Sequence, residues 1–269
     1  MTRPRLRLRF SRSQLCIPYA IFLIFFVIAP LLVLVYYAFT NGQGKFTFEN
    51  FANFFANTNT IGTLLYSLLL SITTTLICLL IAYPTAYLLA RSGLKKKYVL
   101  LMLFILPMWI NFTLRITALK EVLTILEGNI SLHPFLNSVI GMTYDFLPFM
   151  ILPLYTSFLK LDNNLLEAAS DLGANKFMVF LQVTLPLSVP GIVSGITMVL
   201  LPSMTNYVVL DMVYNSTFIM GSLIGSYFSA YDWHNGSMIS LVLLIIIFIV
   251  TLVTNRFSDK DANTRGNIL

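Results

Sequence analysis

The sequence predicts an all-α integral membrane protein with six transmembrane helices and both termini in the cytoplasm. Of its 269 residues, 57% are hydrophobic and only 10% are charged, whereas a soluble domain carries about a quarter charged residues. Apolar stretches of about 20 residues, each able to cross a hydrocarbon core roughly 30 Å thick, occupy most of the chain. Little is left for a globular domain outside the bilayer, so we expect residues 1–269 to form one transmembrane domain.

Six apolar segments are the predicted spans. Their approximate bounds are 15–39, 61–90, 98–119, 135–158, 189–210 and 237–255. The first segment follows a run of arginines, as a secretory signal peptide does. Its apolar run is too long for a signal peptide, and no small-residue cleavage site follows it. We therefore expect it to be retained as the first span.

The basic residues predict the orientation, because cytoplasmic connections carry an excess of Lys and Arg. With six spans, four basic clusters fall on one side of the membrane. They are Arg3, Arg5, Arg7, Arg9 and Arg12 at the amino terminus, Arg91 and Lys95–Lys97 after the second span, Lys160 and Lys176 after the fourth, and Arg256, Lys260 and Arg265 at the carboxyl terminus. The opposite connections hold two lysines and five acidic residues. The net charge of +6 thus indicates membrane topology rather than a nucleic-acid partner.

Several kinds of chemistry have no motif in the sequence. No phosphate-binding G-x-x-x-x-G-K-[ST] loop, H-E-x-x-H pair or serine–histidine arrangement is present. Cys16 and Cys78 indicate no disulfide framework, and His133 and His234 are too isolated for a metal site. We therefore expect no enzyme activity, no metal and no cofactor on this chain, and any ATP to be bound by another subunit.

The longest predicted cytoplasmic connection, residues 159–188, contains the segment LLEAASDLGANKFMVFLQVTLP. Apolar residues recur there at i, i+3, i+4 and i+7, which predicts a short helix with one apolar stripe. The stripe consists of Leu165, Ala168, Ala169 and Leu172. Such a stripe suits either a docking surface for another protein or an amphipathic helix lying on lipid headgroups.

The ends of this helix also have sequence signals. Asn164 followed by Glu167 predicts a capping box, and Gly173 allows a backbone turn that other residues resist. Leu185-Pro186 and Pro190 then introduce the fifth span. We expect a short helix, a turn and a second helix to lie across the cytoplasmic surface, with Glu167 in an orienting and capping role.

The spacing within this segment is more specific than its periodicity. The motif consists of Glu-Ala-Ala, then Gly after three residues, an aliphatic residue after nine more, and Leu-Pro after one more. The residues that match it are Glu167, Ala168, Ala169, Gly173, Val183, Leu185 and Pro186. This pattern resembles the EAA loop of permease subunits in bacterial ATP-binding-cassette importers, with Val183 where isoleucine is usual. In that family the EAA helix inserts into a groove of the ATPase, so the resemblance implies ATPase-coupling roles for the motif residues, above all Glu167 and Gly173.

Three further segments resemble the first permease subunit of spermidine/putrescine importers. They are LPMWINFTLRITALK (Leu106–Lys120), YDFLPFMILPLYTSFLKLD (Tyr144–Asp162) and YDWHNGSMISL (Tyr231–Leu241). The resemblance implies a type I importer fold, a second permease, two copies of an ATPase and an external substrate-binding protein. A permease for another solute, such as sulfate, thiamine or a metal ion, is one alternative. A lipid enzyme is another, but it needs a cluster of carboxylates or histidines that the sequence does not offer.

Candidate substrate-pathway residues lie near the external ends of the spans. Arg115 is ionisable at membrane depth, where such residues face a cavity or a protein partner, and Trp109 lies on nearly the opposite face of the same predicted helix. Asp145 at the opening of the fourth span, Asp211 at the end of the fifth and Asp232 before the sixth suit a cationic ligand, and Tyr207 lies one turn before Asp211 on the same face. Helix capping or docking of the binding protein explains each carboxylate equally well.

Polar residues and prolines also occur inside the spans. Ser67, Ser71, Thr74 and Cys78 share one face of the second span, where small and hydroxyl residues commonly pack against a neighbouring helix. Prolines in the spans predict kinks. They are Pro84, Pro107, Pro148, Pro153 and Pro202.

Overall fold

The computed structural model describes residues 16–93, 95–213 and 218–266, with the side chains of these residues except 255 and 257–266. The arginines before the first span, and Leu15 at its predicted start, lie outside the described residues. The helices, in chain order, are α1 (Cys16–Ala38), α2 (Glu49–Ala56), α3 (Thr58–Arg91), α4 (Lys97–Trp109), α5 (Phe112–Glu127), α6 (Pro134–Leu159), α7 (Asn163–Asp171), α8 (Lys176–Ser203), α9 (Tyr207–Val213), α10 (Met220–Ser229) and α11 (Trp233–Gly266).

Among the described residues, five helices are long and apolar enough to cross a membrane. They are α1, α3, α6, α8 and the Trp233–Thr254 part of α11. Helices α4 and α5 provide a sixth crossing only if the bent pair counts as one span. The predicted all-helical membrane fold is confirmed. The second and fourth segments, 61–90 and 135–158, match α3 and α6 to within three residues.

The third span, predicted over 98–119 with a kink at Pro107, is not one continuous helix. Helix α4 ends in a 3-10 turn, Leu106–Trp109, and α5 begins at Phe112 after a bend of 100°. Pro107 lacks the N–H that a continuing helix needs. The Asn111 side chain accepts hydrogen bonds from the backbone N–H of Thr113 at 3.0 Å and of Leu114 at 3.3 Å. A proline and a strong N-cap therefore break the apolar segment in two.

The fifth span, predicted over 189–210, is wrong at both ends. Helix α8 begins at Lys176 and ends at Ser203. It passes Pro186 through a π turn, Phe180–Thr184, in which the Leu185 N–H donates to the Phe180 carbonyl. A proline ring clashes with the carbonyl four residues earlier, and the wider π turn accommodates it. Helix α1 has the same arrangement, with a π turn at Ile24–Ile28 before Pro30.

The chain divides into two compact units. One holds the described residues up to Ala56 together with Ile224–Leu243, and the other holds Asn57–Leu223 and the residues from Leu244 onward. The core of the second unit lies where α3, α6 and α8 pack together. The hydroxyl and thiol face of α3 is buried there, as the sequence predicted for a packing face, and the Cys78 thiol donates to the Thr143 carbonyl at 3.8 Å. The organisation of residues 1–269 as one domain stays a prediction.

Candidate functional site

Helix α7 carries the Glu-Ala-Ala motif on an exposed surface. None of its residues is buried. Glu167 and Ala168 are exposed, and the stripe residues Leu165 and Leu172 are 49% and 89% exposed. Only the neighbouring Leu166 packs against the core. Among the described residues, the apolar stripe is thus largely left open to the outside, as either a docking surface for another protein or a helix on lipid headgroups requires.

The amino-terminal cap of α7 differs from the prediction. The Asp162 carboxylate, on a residue with extended backbone, accepts from the Asn164 N–H at 3.0 Å. Asn164 lies inside the helix and Glu167 is exposed, so the predicted capping box and the capping role of Glu167 are wrong. The N-cap position needs a non-helical backbone with a short side-chain acceptor. Asp162, Asn163 and Asn164 all provide such an acceptor, and the sequence alone does not choose among them.

The carboxyl-terminal end of α7 is a turn centred on Gly173, as predicted. Gly173 has φ +87°. Its N–H donates to the Ser170 carbonyl at 2.9 Å, and the Ala174 N–H donates to the Ala169 carbonyl at 3.1 Å. These two bonds form a Schellman motif, which needs a left-handed residue. The Asn175 side chain then accepts from the Met178 N–H at 2.8 Å and caps α8.

The second half of the motif lies within a membrane-spanning helix rather than in a loop. Leu185 and Pro186 directly follow the π turn inside α8. The predicted loop 159–188 is therefore wrong at its carboxyl end, because the connection between α6 and α8 closes before Lys176. Only residues 172–175, which include the turn at Gly173, separate α7 from α8.

Helix α7 is also tied to α3. The Arg91 guanidinium, in the last turn of α3, donates to the Asn163 side chain at the start of α7. Deeper in the same unit, the Tyr83 and Ser188 hydroxyls lie 3.0 Å apart and join α3 to α8. Sequence reasoning treated Arg91 only as a topology charge and missed this contact.

A cavity of about 470 Å³ lies between the end of α6, the start of α7 and α8. Its lining consists of Pro153, Thr156, Ser157, Lys160, Leu161, Asp162, Leu165, Leu187, Pro190, Gly191 and Ser194. Directly beside it α6 and α8 touch closely, since a Cβ on Gly191 would lie 2.5 Å from the Ser157 Cβ. The two helices that flank α7 are thus packed firmly together, while space remains next to α7 itself.

A second site is a buried polar cluster in the same unit. The Arg115 guanidinium forms an ion pair with the Asp145 carboxylate, and both residues are over nine-tenths buried. Arg115 also donates to the Pro107 carbonyl at 3.1 Å. The Asn206 side chain donates to the other carboxylate oxygen of Asp145 at 3.3 Å. Asp145 lies near the middle of α6, so its predicted place at a span end is wrong.

Aromatic rings surround this cluster. The Arg115 guanidinium lies 5.6 Å from the Tyr144 ring centroid and 5.9 Å from that of Phe112. Such cation–π contacts stabilise a desolvated cation. The sequence singled out Arg115 and Asp145 separately, and the structure pairs them. The structure also adds Asn206 to the cluster. No sequence pattern indicated Asn206, because its side chain is an uncharged amide outside any motif.

The remaining pathway candidates are dispersed. Trp109 is 78% exposed at the end of α4, whereas Arg115 lies on α5. The two residues do not share a helix, so the prediction that placed them on opposite faces of one helix is wrong. Tyr207 and Asp211 share the exposed face of α9, whose other face buries Val209 and Val213. Asp211 therefore ends no membrane span.

Asp232 belongs to the first unit and caps α11. Its carboxylate oxygens accept from the Asn235 N–H at 3.1 Å and from the Asn235 side chain at 2.7 Å. In that unit His234 lies 3.1 Å from the Tyr37 carbonyl, as expected of a hydrogen-bonded histidine. Within the described parts of the chain, no three His, Cys, Asp or Glu side chains are grouped to hold a metal ion.

Comparison with known proteins identifies the family. Residues 82–260 match the family described as the binding-protein-dependent transport system inner membrane component. The chain is 38% identical to the spermidine/putrescine transport system permease protein PotB of Haemophilus influenzae, over 87% of this chain and 89% of that protein. It is 37% identical to PotB of Escherichia coli, over 72% of this chain and 77% of that protein.

The fold is similar to that of a solved transporter. A chain in the crystal structure of a bacterial alginate ABC transporter, in complex with an alginate-bound periplasmic protein, superposes with a TM-score of 0.73 at 14% sequence identity. The match covers 92% of this chain and 93% of that chain. At this identity the likeness concerns the fold alone. The chain belongs to the family of binding-protein-dependent transport system inner membrane components, as a multi-pass permease subunit of an ATP-binding-cassette importer.

Proposed function

We propose that this permease imports polyamines, spermidine or putrescine, and that it couples to an ATPase through α7. The substrate assignment rests on the identity with PotB proteins over most of the chain. The coupling assignment rests on one observation above all. Helix α7, capped at both ends, carries the Glu-Ala-Ala motif and the apolar stripe on the surface, and none of its residues is buried.

Permeases of this family work with a second permease, an ATPase and a substrate-binding protein. The specific partners we propose are a PotC-like permease, a PotA-like ATPase dimer that binds ATP, and a PotD-like external binding protein. With both termini in the cytoplasm, the basic connections and α7 face the ATPase. The membrane lipid surrounds the spans, and no nucleic acid is involved.

Helix α7 moves as a rigid element because both of its ends are held. Its amino-terminal end is held by the Asp162 cap and by Arg91, and its carboxyl-terminal end by the turn at Gly173. Movement of the ATPase against the stripe therefore displaces α6 and α8 together rather than bending the connection. Rigid-body movement of packed helices is the general way in which alternating access works. Glu167, exposed beside the stripe, orients the helix in the ATPase groove.

For the substrate path, we propose that the exposed Tyr207 and Asp211 side chains of α9 contact the cation. An aromatic ring and a carboxylate one helical turn apart offer an ammonium group a cation–π contact and an ion pair. The carboxylate of Asp145 already has a guanidinium partner, so we assign Arg115 and Asp145 to positioning the broken helices beside the path. Trp109 and Asp232 stay weaker candidates, since Asp232 is engaged as a cap.

Uptake measurements test this proposal. The complete importer, reconstituted in vesicles with its binding protein and ATP inside, should accumulate labelled spermidine or putrescine. Asp211→Asn should lower uptake while leaving assembly intact, because it removes charge but little volume. Glu121→Gln, an exposed acid on α5, is the matched control for loss of a negative charge. Uptake of sulfate, thiamine or a metal ion instead of polyamines would refute the substrate assignment and leave the importer assignment standing.

A further inference from the structure

The residues that follow α1 fold back onto its carboxyl end. Thr40 pairs with Phe46 in an antiparallel bridge, and the Thr47 N–H donates to the Phe39 carbonyl at 2.9 Å. The buried Asn50 side chain donates to the carbonyls of Ala38 and Thr40 at 3.1 and 3.0 Å. These bonds satisfy carbonyl groups at the end of the helix and hold the foldback segment, residues 39–56, against it.

The position of the foldback segment along the membrane normal follows from α1. That helix has 23 residues, which at 1.5 Å per residue span about 35 Å, little more than the hydrocarbon thickness of about 30 Å. Its carboxyl end therefore lies at a membrane boundary. A segment bonded to Ala38 and Phe39 cannot move far from that boundary into water.

Four phenylalanines of the foldback segment form an aromatic cluster. The Phe39 ring centroid lies 5.7, 5.6 and 4.9 Å from those of Phe46, Phe48 and Phe51, and Phe46 and Phe48 are 5.1 Å apart. Phe46 and Phe48 are nevertheless 69% and 62% exposed. Grouped exposed aromatic rings mark a surface that contacts something other than water.

Helix α2 sorts its residues onto three faces. Asn50 and Phe54, four residues apart, are buried against the unit. Phe51 and Phe55 lie on a second face, and Phe55 is 65% exposed. Glu49 and Asn53 lie on nearly the opposite side from Phe51 and Phe55. Each precedes one of these phenylalanines by two residues, which is a rotation of about 200° around the helix. A helix with an aromatic side and an opposite polar side lies flat in a membrane interface.

We propose that the foldback segment is a lipid-binding anchor, in which Phe46, Phe48 and Phe55 enter the boundary between headgroups and acyl chains. Glu49 and Asn53 then face water, and the exposed Lys45 lies at the tip, where its ammonium group meets anionic headgroups. Lipid is the occupant because the segment is hydrogen-bonded to the end of a helix about as long as the hydrocarbon layer is thick, which places its exposed rings at the depth where headgroups meet acyl chains. The anchor fixes the depth of the first span.

Single-tryptophan variants test the anchor. Trp109→Phe and Trp233→Phe together give a parent chain without tryptophan, and each variant adds one tryptophan to it, assembled with the partner subunits in lipid vesicles. Emission is read as the difference from the parent complex, which removes the contribution of the other subunits. We expect Phe48→Trp and Phe55→Trp to be quenched by lipids brominated near the headgroup and not by aqueous iodide. Asn53→Trp should show the reverse, and the buried Phe54→Trp neither.

A protein-docking role gives a different result. If brominated lipid does not quench Phe48→Trp, whether iodide reaches it or the second permease shields it from both quenchers, the lipid anchor is refuted. Protection that appears only when the binding protein is added refutes it as well. A spin label on Phe48→Cys, in a chain with Cys16→Ser and Cys78→Ser, gives an independent reading of membrane depth. The reading compares the label's collision rate with oxygen, which enters the bilayer, and with a nickel complex, which stays in water. Deeper immersion at position 48 than at Asn53→Cys supports the anchor, and equal exposure of the two positions to the nickel complex overturns it.

Discussion

The ion pair between Arg115 and Asp145 joins two places where helices break. Arg115 stands on α5 and also binds the carbonyl of Pro107 across the α4–α5 bend, while Asp145 on α6 accepts from Asn206 between α8 and α9. The two charged side chains thus connect α4, α5 and α6 with the α8–α9 connection around one buried cluster. Each of the two side chains neutralises the charge of the other, which the surrounding apolar residues cannot solvate.

Breaking this pair on one side should destabilise the permease. Asp145→Asn leaves a buried guanidinium without its counter-charge, and removal of one partner of a buried pair costs about 3–5 kcal/mol. We expect the complex carrying Asp145→Asn to unfold at a markedly lower temperature in detergent. Adding Arg115→Gln should recover most of the loss, because both charges are then gone. A double variant as unstable as the single one would show that the charge balance is not the cause.

Gly173→Val should uncouple transport from ATP hydrolysis. The residue has φ +87°, a region that costs a side-chain-bearing residue about 1–2 kcal/mol, while no atom lies within 4 Å of an added Cβ. The effect is therefore on the turn and not on packing. We expect normal membrane insertion, ATPase activity that no longer responds to the loaded binding protein, and little uptake. Gly173→Asn, which tolerates this backbone, is the control, and equal loss in both variants would contradict the explanation.

The cap of α7 should matter at Asp162 rather than at Asn164. Asp162→Ala removes the acceptor for the Asn164 N–H and should cost about 0.5–2 kcal/mol of helix stability, which lowers uptake per ATP hydrolysed. Asp162→Ser keeps an acceptor and should retain most coupling. Asn164→Ala should have a small effect. The reverse order of the Asp162→Ala and Asn164→Ala defects would restore the capping box that the sequence suggested.

The close approach of α6 and α8 should not tolerate a methyl group. A Cβ at Gly191 would lie 2.5 Å from the Ser157 Cβ and 3.0 Å from the Pro153 carbonyl oxygen. Gly191→Ala should therefore lower the thermal stability of the assembled complex, and Ser157→Gly should partly restore it. Gly62→Ala, on α3 with no atom within 4 Å of the added Cβ, should be neutral. If Gly191→Ala is also neutral, the helices are less tightly packed than the structure indicates.

The predicted orientation can be checked by thiol labelling in a chain lacking Cys16 and Cys78. A membrane-impermeant reagent applied outside intact cells should label Gln43→Cys and Asn129→Cys, both exposed and in connections predicted to be external. It should not label the exposed Asp171→Cys at the end of α7 until the cells are opened. Labelling of Asp171→Cys from outside would place α7 on the wrong side for an ATPase.

The sequence by itself determined the membrane class, most of the spans and the short helix that carries the Glu-Ala-Ala motif. Hydropathy acts over about 20 residues of continuous chain, so the bounds of α1, α3 and α6 followed from composition alone. The Glu-Ala-Ala motif and Gly173 are likewise local, because the Schellman turn depends on residues within six positions of one another. These features need no knowledge of which helices meet.

Only the tertiary structure decided what each proline and each charge does. Pro107 and Pro186 look alike in sequence, yet the first lies at a 100° bend and the second within a continuous helix. The bend is held by Arg115, whose partner Asp145 is 30 residues away, and a π turn accommodates Pro186. Asp145 and Asp232 are both isolated carboxylates in the sequence, and packing makes one an ion-pair partner and the other a helix cap. Such outcomes depend on contacts between distant segments, which local patterns do not encode.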